Sequence, residues 1–156
     1  MSRRRKIVER EIFPDPKYNS IVLSKFINSI MQRGKKSLAE KIVYGALDII
    51  GQKTKDEPLE VFNQALGNVR PMIKVVSRRI GGSNYQIPTE VTAKNAQALA
   101  FRWIISFSRK RSEKTMMERL AGELLAAYKK EGASIKKRED THKMAEANKA
   151  FAHFRF

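Results

Sequence analysis

The chain of 156 residues contains no cysteine. That excludes a disulfide framework and a thiolate metal site, and it fits a reducing compartment. Long apolar runs are missing too. No stretch approaches the ~20 apolar residues of a membrane helix, and the N-terminus lacks a signal-peptide core. A soluble, cytoplasmic protein without a membrane partner is expected. Histidine is scarce: His142 and His153 stand eleven apart with no HExxH pattern, so neither a metal nor another cofactor is called for. There is no G-x-S-x-G, no glycine-rich dinucleotide loop and no nucleophile beside a base. Gly34-Lys35-Lys36-Ser37 resembles the end of a phosphate-binding P-loop, but Ser29 stands where the first glycine belongs and a helix precedes it. A binder without catalysis and without a small-molecule substrate is the expectation.

Acids are missing where positive charge is densest. Lys and Arg number 32 against 16 Asp and Glu, and the net charge of +16 comes from four segments, 1–10, 70–82, 102–114 and 129–138, each with a net of +4. The first holds Arg3, Arg4, Arg5, Lys6 and Arg10; the second, with no acid, holds Arg70, Lys74, Arg78 and Arg79. The third holds Arg102, Arg109, Lys110, Arg111 and Lys114, and the fourth includes Lys136, Lys137 and Arg138. A merely solvated surface intersperses both signs. Charge gathered at a terminus, in a hairpin and at helix junctions fits a polyanion, whose neutralised phosphates release counterions. Lys35 and Lys36, near a helix N-terminus, join these residues as candidate phosphate contacts. Residues 1–12 read as a basic tail that orders on binding.

The remaining pattern is helical. After Pro14-Asp15-Pro16, Asn19 and Ser20 can cap a helix whose stripe is Leu23, Phe26, Ile27, Ile30 and Met31, with Gly34 ending it. Ser37 to Glu40 reads as a capping box for a second helix closed by Gly51, and Pro58 opens a third that Pro71 stops. Thr92 caps a fourth, apolar on both sides through Ile104 and Phe107 on one and Phe101 and Ile105 on the other, which predicts a central position. Thr115 to Glu118 is another capping box, for a helix closed by Gly132. A last helix is expected over roughly 140–151. Phe151, Phe154 and Phe156 make residues 151–156 an aromatic C-terminal tail that packs on its own fold or on a neighbour.

Between the third and fourth helices, residues 72–91 break this pattern. Gly81, Gly82, Ser83 and Asn84 form a turn signal between segments rich in Ile, Val and Tyr, which predicts a β-hairpin. Two strands alone are marginal in water, so the hairpin is either folded onto the core or used as an arm. Arg78 and Arg79 offer guanidiniums that fork onto phosphate or stack on a base. Alternation puts Tyr85, Ile87 and Val91 on one face, which leaves Tyr85 open between stacking on a base and packing. The expected architecture is one mainly α domain, 1–156, of about six helices with a protruding two-stranded antiparallel arm.

Pro14-Asp15-Pro16, Phe26-Ile27-Asn28 with Gly34-Lys35-Lys36, Asn68-Val69-Arg70-Pro71, Arg78 through Pro88, Leu99-Ala100-Phe101-Arg102-Trp103, Lys137-Arg138-Glu139-Asp140 and Met144-Ala145-Glu146-Ala147-Asn148 occur in an order that resembles the family of bacterial small-subunit ribosomal protein number seven. Phe154-Arg155-Phe156 departs from the family's Tyr-Arg-Trp but keeps its aromatic character. The resemblance implies a helical protein with a β-ribbon arm that binds the 3′ major domain of 16S ribosomal RNA and nucleates assembly of the subunit head. It further implies neighbouring ribosomal proteins, and a position of the arm near exit-site tRNA and messenger. An organelle ribosome is the alternative setting. The rival readings are a DNA-binding architectural protein with its arm in a minor groove, and an RNA-modifying or RNA-cleaving enzyme.

Overall fold

Apolar side chains at helical spacing decide most of the architecture. The structure, a computed structural model, describes residues 11–154. In chain order it contains α1 (Ile21–Ile30), α2 (Lys36–Lys53), α3 (Pro58–Val69), β1 (Ile73–Ile80), β2 (Ser83–Glu90), α4 (Ala93–Arg109), α5 (Met116–Tyr128) and α6 (Ala133–Ala147), then a 3₁₀ turn at Lys149–Phe154. The expected mainly α fold with one antiparallel hairpin is what forms. Leu23, Phe26, Ile27 and Ile30 of α1 are buried as one stripe against α2 and α4. Phe26 stands at the centre, its ring centroid 5.2 Å from those of both Phe62 and Phe101 in edge-on geometry. Helix α4 buries Ala100 and Ile104 on one side and Phe101 and Ile105 on the other, and it packs against α1, α3, α5 and α6. Its central position matches the two-sided pattern.

Some boundaries follow local chemistry visible in the sequence. The Ser20 hydroxyl accepts from the Leu23 N–H at 3.3 Å, Pro58 occupies the first turn of α3, and Thr92 is the N-cap residue of α4, without a side-chain bond. The buried Asp15 takes the Lys17 and Tyr18 N–H groups and the Tyr44 hydroxyl, which fixes the approach of the chain to α1. Thr115 and Glu118 form the expected reciprocal capping box of α5. The Thr115 N–H and hydroxyl hold the Glu118 carboxyl below its usual pKa range. That contribution is present above the ordinary carboxylate pKa and is lost as pH falls through the lowered one. Thr115→Ala is expected to cost about 1 kcal/mol in urea unfolding at neutral pH, with a smaller difference from the parent protein at acid pH.

Other boundaries differ from the sequence expectation, each for a structural reason. Helix α1 ends at Ile30 with Met31 as its cap residue, and Gly34 (φ +73°) serves the turn that follows. With Arg33 also at positive φ, that turn reverses the chain early. Helix α2 therefore begins at Lys36, capped by no side chain, and the Ser37–Glu40 capping box does not form. Gly51 does not close α2, which continues to Lys53. A Cβ at Gly51 would lie 3.0 Å from Pro58, so the glycine admits the start of α3.

Gly132 (φ +91°) is the N-cap residue of α6 rather than the end of α5, which stops at Tyr128. The last helix thus starts at Ala133, well before position 140. Its first turn is held from a distance, because the buried Glu123 of α5 accepts from the Ser134 N–H at 3.0 Å and from its hydroxyl at 2.6 Å.

Candidate nucleic-acid interface

The turn at Gly81 and Gly82 connects directly paired strands, Ile80 opposite Ser83, with positive φ at both glycines (+56° and +88°). Two consecutive residues at positive φ make the tight reversal whose twist matches that of the strands. Partners across an antiparallel pair share a face. Arg78 pairs with Tyr85 and Val76 with Ile87, so these lie on one face; Arg79 pairs with Asn84 on the other. Ile87 is fully buried, and the ribbon rests on α6 and the 3₁₀ turn. Tyr85 is half-buried, its ring centroid 5.4 Å from that of Phe151. Tyr85 thus has a packing partner within the chain, and Phe151 packs on its own fold. The base of the ribbon is seated, while Arg78, Arg79, Gly81, Gly82, Ser83 and Asn84 at its tip are exposed.

A second basic surface lies between α1 and α4. On α4, Lys94, Ala98, Arg102, Ile105 and Arg109 recur at steps of three and four and so line one groove, of about 870 Å³, with the cap residue Lys110 at its end and Lys25, Asn28 and Ser29 of α1 opposite. Among the described residues lining it are five cations and no acid. Arg109 also borders the next depression, with Arg33 and Lys35 of the α1–α2 turn, so the positive surface continues to the start of α2. Lys36, on the far side of that turn, borders a hollow that also contains Glu11 and Glu40.

Several predicted contacts are occupied within the fold. Arg111 donates to Glu113 at 2.8 Å and to Glu123 at 3.3 Å, which holds the Glu113 carboxyl below its usual range. Its guanidinium is an internal brace, and the acid two residues away offsets its charge. Arg138 donates to the Asn68 carbonyl and sits 3.5 Å from Glu139. Asn68 in turn donates to the Ala127 and Tyr128 carbonyls at 3.0 and 3.1 Å, which ties α3, α5 and α6 together. Lys110 lies 5.4 Å from the Phe107 ring centroid, a cation over a half-buried aromatic.

Lys136 and Lys137 belong to α6 rather than to a helix junction; Lys136 is exposed and Lys137 half-buried. Arg70 and Lys114 are exposed on connections, whereas Lys74 is half-buried on the face of the ribbon that carries Ile87. Arg3, Arg4, Arg5, Lys6 and Arg10 lie outside the described residues, as do Arg155 and Phe156. Lys25, Arg33 and Lys94 were missed by counting charge in blocks. The spacing of Lys94 to Arg102 along one helical stripe is the signal that finds Lys94; Lys25 and Arg33 join it only through the packing of α1 beside α4.

Among the described residues no three metal-ligating side chains converge. His142 has a packing role: its Nε2 accepts from the Met72 N–H at 3.2 Å, linking α6 to the foot of the arm. No helix among those residues is long and apolar enough to cross a membrane.

Residues 2–149 match the model of the family described as ribosomal protein S7p/S5e. Proteins named small ribosomal subunit protein uS7 from Marinobacter nauticus and Syntrophotalea carbinolica are each 60% identical over all 156 residues, covering the whole of both chains. The protein of that name from Syntrophobacter fumaroxidans is 58% identical with the same coverage. A match of this extent leaves a single assignment: the chain belongs to the ribosomal protein S7p/S5e family, a family of small-subunit ribosomal proteins and not of enzymes.

Proposed function

We propose that this protein is a primary ribosomal-RNA-binding protein. It acts as one domain that binds the 3′ major domain of 16S ribosomal RNA and nucleates assembly of the subunit head in cytoplasmic ribosomes. The observation that carries this reading is the basic groove between α1 and α4, free of acid among the described residues and continued by Arg109 to Arg33 and Lys35. Charge of one sign on rigid helices is what a folded phosphate backbone requires. In this reading Arg102, Arg109, Lys110, Lys114, Lys35 and Lys36 grip phosphates, and Arg70, Lys136 and Lys137 extend the surface. Lys74 and Arg138 add charge mainly by position, and Arg3, Arg4, Arg5, Lys6 and Arg10 thread into grooves of the RNA. Arg78 and Arg79 serve the exposed tip of the arm near exit-site tRNA and messenger, with Gly81 to Asn84 allowing close backbone approach. Neighbouring small-subunit proteins complete the set of partners.

Filter binding of the full chain to a 3′ major domain fragment, with duplex DNA as competitor, tests the proposal. Lys35→Ala and Arg79→Ala should each weaken RNA binding and make the log–log salt slope shallower by about one unit. Unchanged affinity and slope in both variants, or preferential binding to DNA, would overturn it.

A further inference from the structure

We infer that the groove between α1 and α4 captures an unstacked nucleotide of single-stranded RNA and reads its base, in addition to holding phosphates. This inference rests on the RNA-binding reading and makes it more specific. A surface that only neutralises a backbone needs cations and little else. This groove has more.

Phe101 and Ile105 supply an apolar floor, and the exposed Ile12 stands at its edge. The side-chain nitrogen of Gln97, one turn of α4 before Phe101, is buried against the groove and has no hydrogen-bond partner among the described residues. A buried donor left unmatched is costly, and native proteins rarely keep one without a use. Asn28 lines the facing wall and offers a second amide.

These parts match the components of a nucleotide. The flat apolar base meets the floor, its polar edge meets the Gln97 amide once that side chain turns out from beneath the groove surface, and its phosphates meet Lys25, Lys94 and Arg102 at the rim. A duplex does not fit: its bases are stacked inside and its phosphates lie on a convex surface, whereas loops and bulges splay bases outward for recognition by their edges. The volume, about 870 Å³, is in the range of sites that enclose a molecule of this size. The absence of acid from the described lining selects an anionic occupant over an apolar peptide.

The test uses the full chain and fluorescently labelled single-stranded homohexamers of A, C, G and U, with an RNA duplex of equal charge as control. Two variants are informative: Gln97→Leu, which removes the amide at similar size, and Ala98→Trp, which fills the groove from an exposed position. Thermal melts check that both are folded.

Both variants should lower affinity for the preferred hexamer about tenfold, the scale of losing one hydrogen-bonded base edge. Gln97→Leu should also level the preference among the four bases. Duplex affinity and the salt slope should stay as in the parent protein. If the hexamers bind both variants as tightly as the parent while Lys35→Ala and Arg79→Ala still weaken rRNA binding, base capture is wrong and the RNA-binding reading stands. If no variant alters binding to any RNA, both fail. If removal of residues 1–10 raises hexamer affinity through this groove, the chain's own tail is its occupant and the inference is overturned.

Discussion

Glu123→Ala is expected to lower the unfolding free energy by about 3 kcal/mol, the lower part of the range for breaking a buried ion pair. The carboxylate is 1% exposed and satisfies three donors: the Ser134 N–H, the Ser134 hydroxyl and the Arg111 guanidinium. Alanine leaves the first two without an acceptor in a buried place, at about 1–3 kcal/mol for an orphaned group. The guanidinium loses less, because its side chain is one-third exposed to water and keeps Glu113. Glu123→Gln retains an oxygen for Ser134 and should cost clearly less than alanine. Urea unfolding followed by circular dichroism measures both, and hydrogen exchange adds a local readout. The amides of the first turn of α6 should lose protection in Glu123→Ala while those of α3 keep theirs. Equal losses in the two variants would mean that side-chain volume, not hydrogen bonding, is what Glu123 contributes.

Phe26→Ala should be more damaging, at about 3–5 kcal/mol. The ring is 0% exposed and has two edge-on aromatic partners, each worth about 0.5–1.5 kcal/mol beyond buried area. Its removal opens a cavity where α1, α3 and α4 meet, and rigid helices on three sides prevent collapse into it. Domains of this size have only about 5–15 kcal/mol in hand. At about 2–4 °C per kcal/mol, a fall in melting temperature of about 6–20 °C follows. A thermal scan suffices, with Phe26→Leu expected between alanine and the parent protein. A fall of only a degree or two would show that the site relaxes around the loss.

The two capping arrangements of α5 and α6 show what sequence could and could not reveal. Thr115 and Glu118 were legible because both partners lie within one helical turn, so spacing alone specifies the bonds. Glu123 and Ser134 perform the same task across eleven residues and a turn, and no local pattern announces them. The start of α6 was missed for that reason. Arg111 makes the same point: counted as one charge in a basic block, it shows nothing of its bonds to Glu113, two residues on, and to Glu123 of α5. The arm was legible nearly to the residue, since Gly81 and Gly82 dictate the turn and alternation then assigns the face of Tyr85 and Ile87. The groove was half legible. Arg102, Arg109 and Lys110 were named, but their grouping with Lys25 depends on how α1 crosses α4.

The seating of the ribbon on α6 and the 3₁₀ turn has a consequence for synthesis of the chain. Its strands are complete by Glu90, yet the surface that buries Ile87 and Tyr85 comes from residues near the C-terminus. A translating ribosome adds about 5–20 residues per second, so the ribbon waits several seconds, as the marginal two-stranded element it is by itself, before anything is made to hold it. Helices α1 to α5 can fold behind it during that interval. The tip is thus made midway through synthesis and is among the last parts to acquire a fixed bearing, and a truncated translation product would have its helical core without an aimed arm.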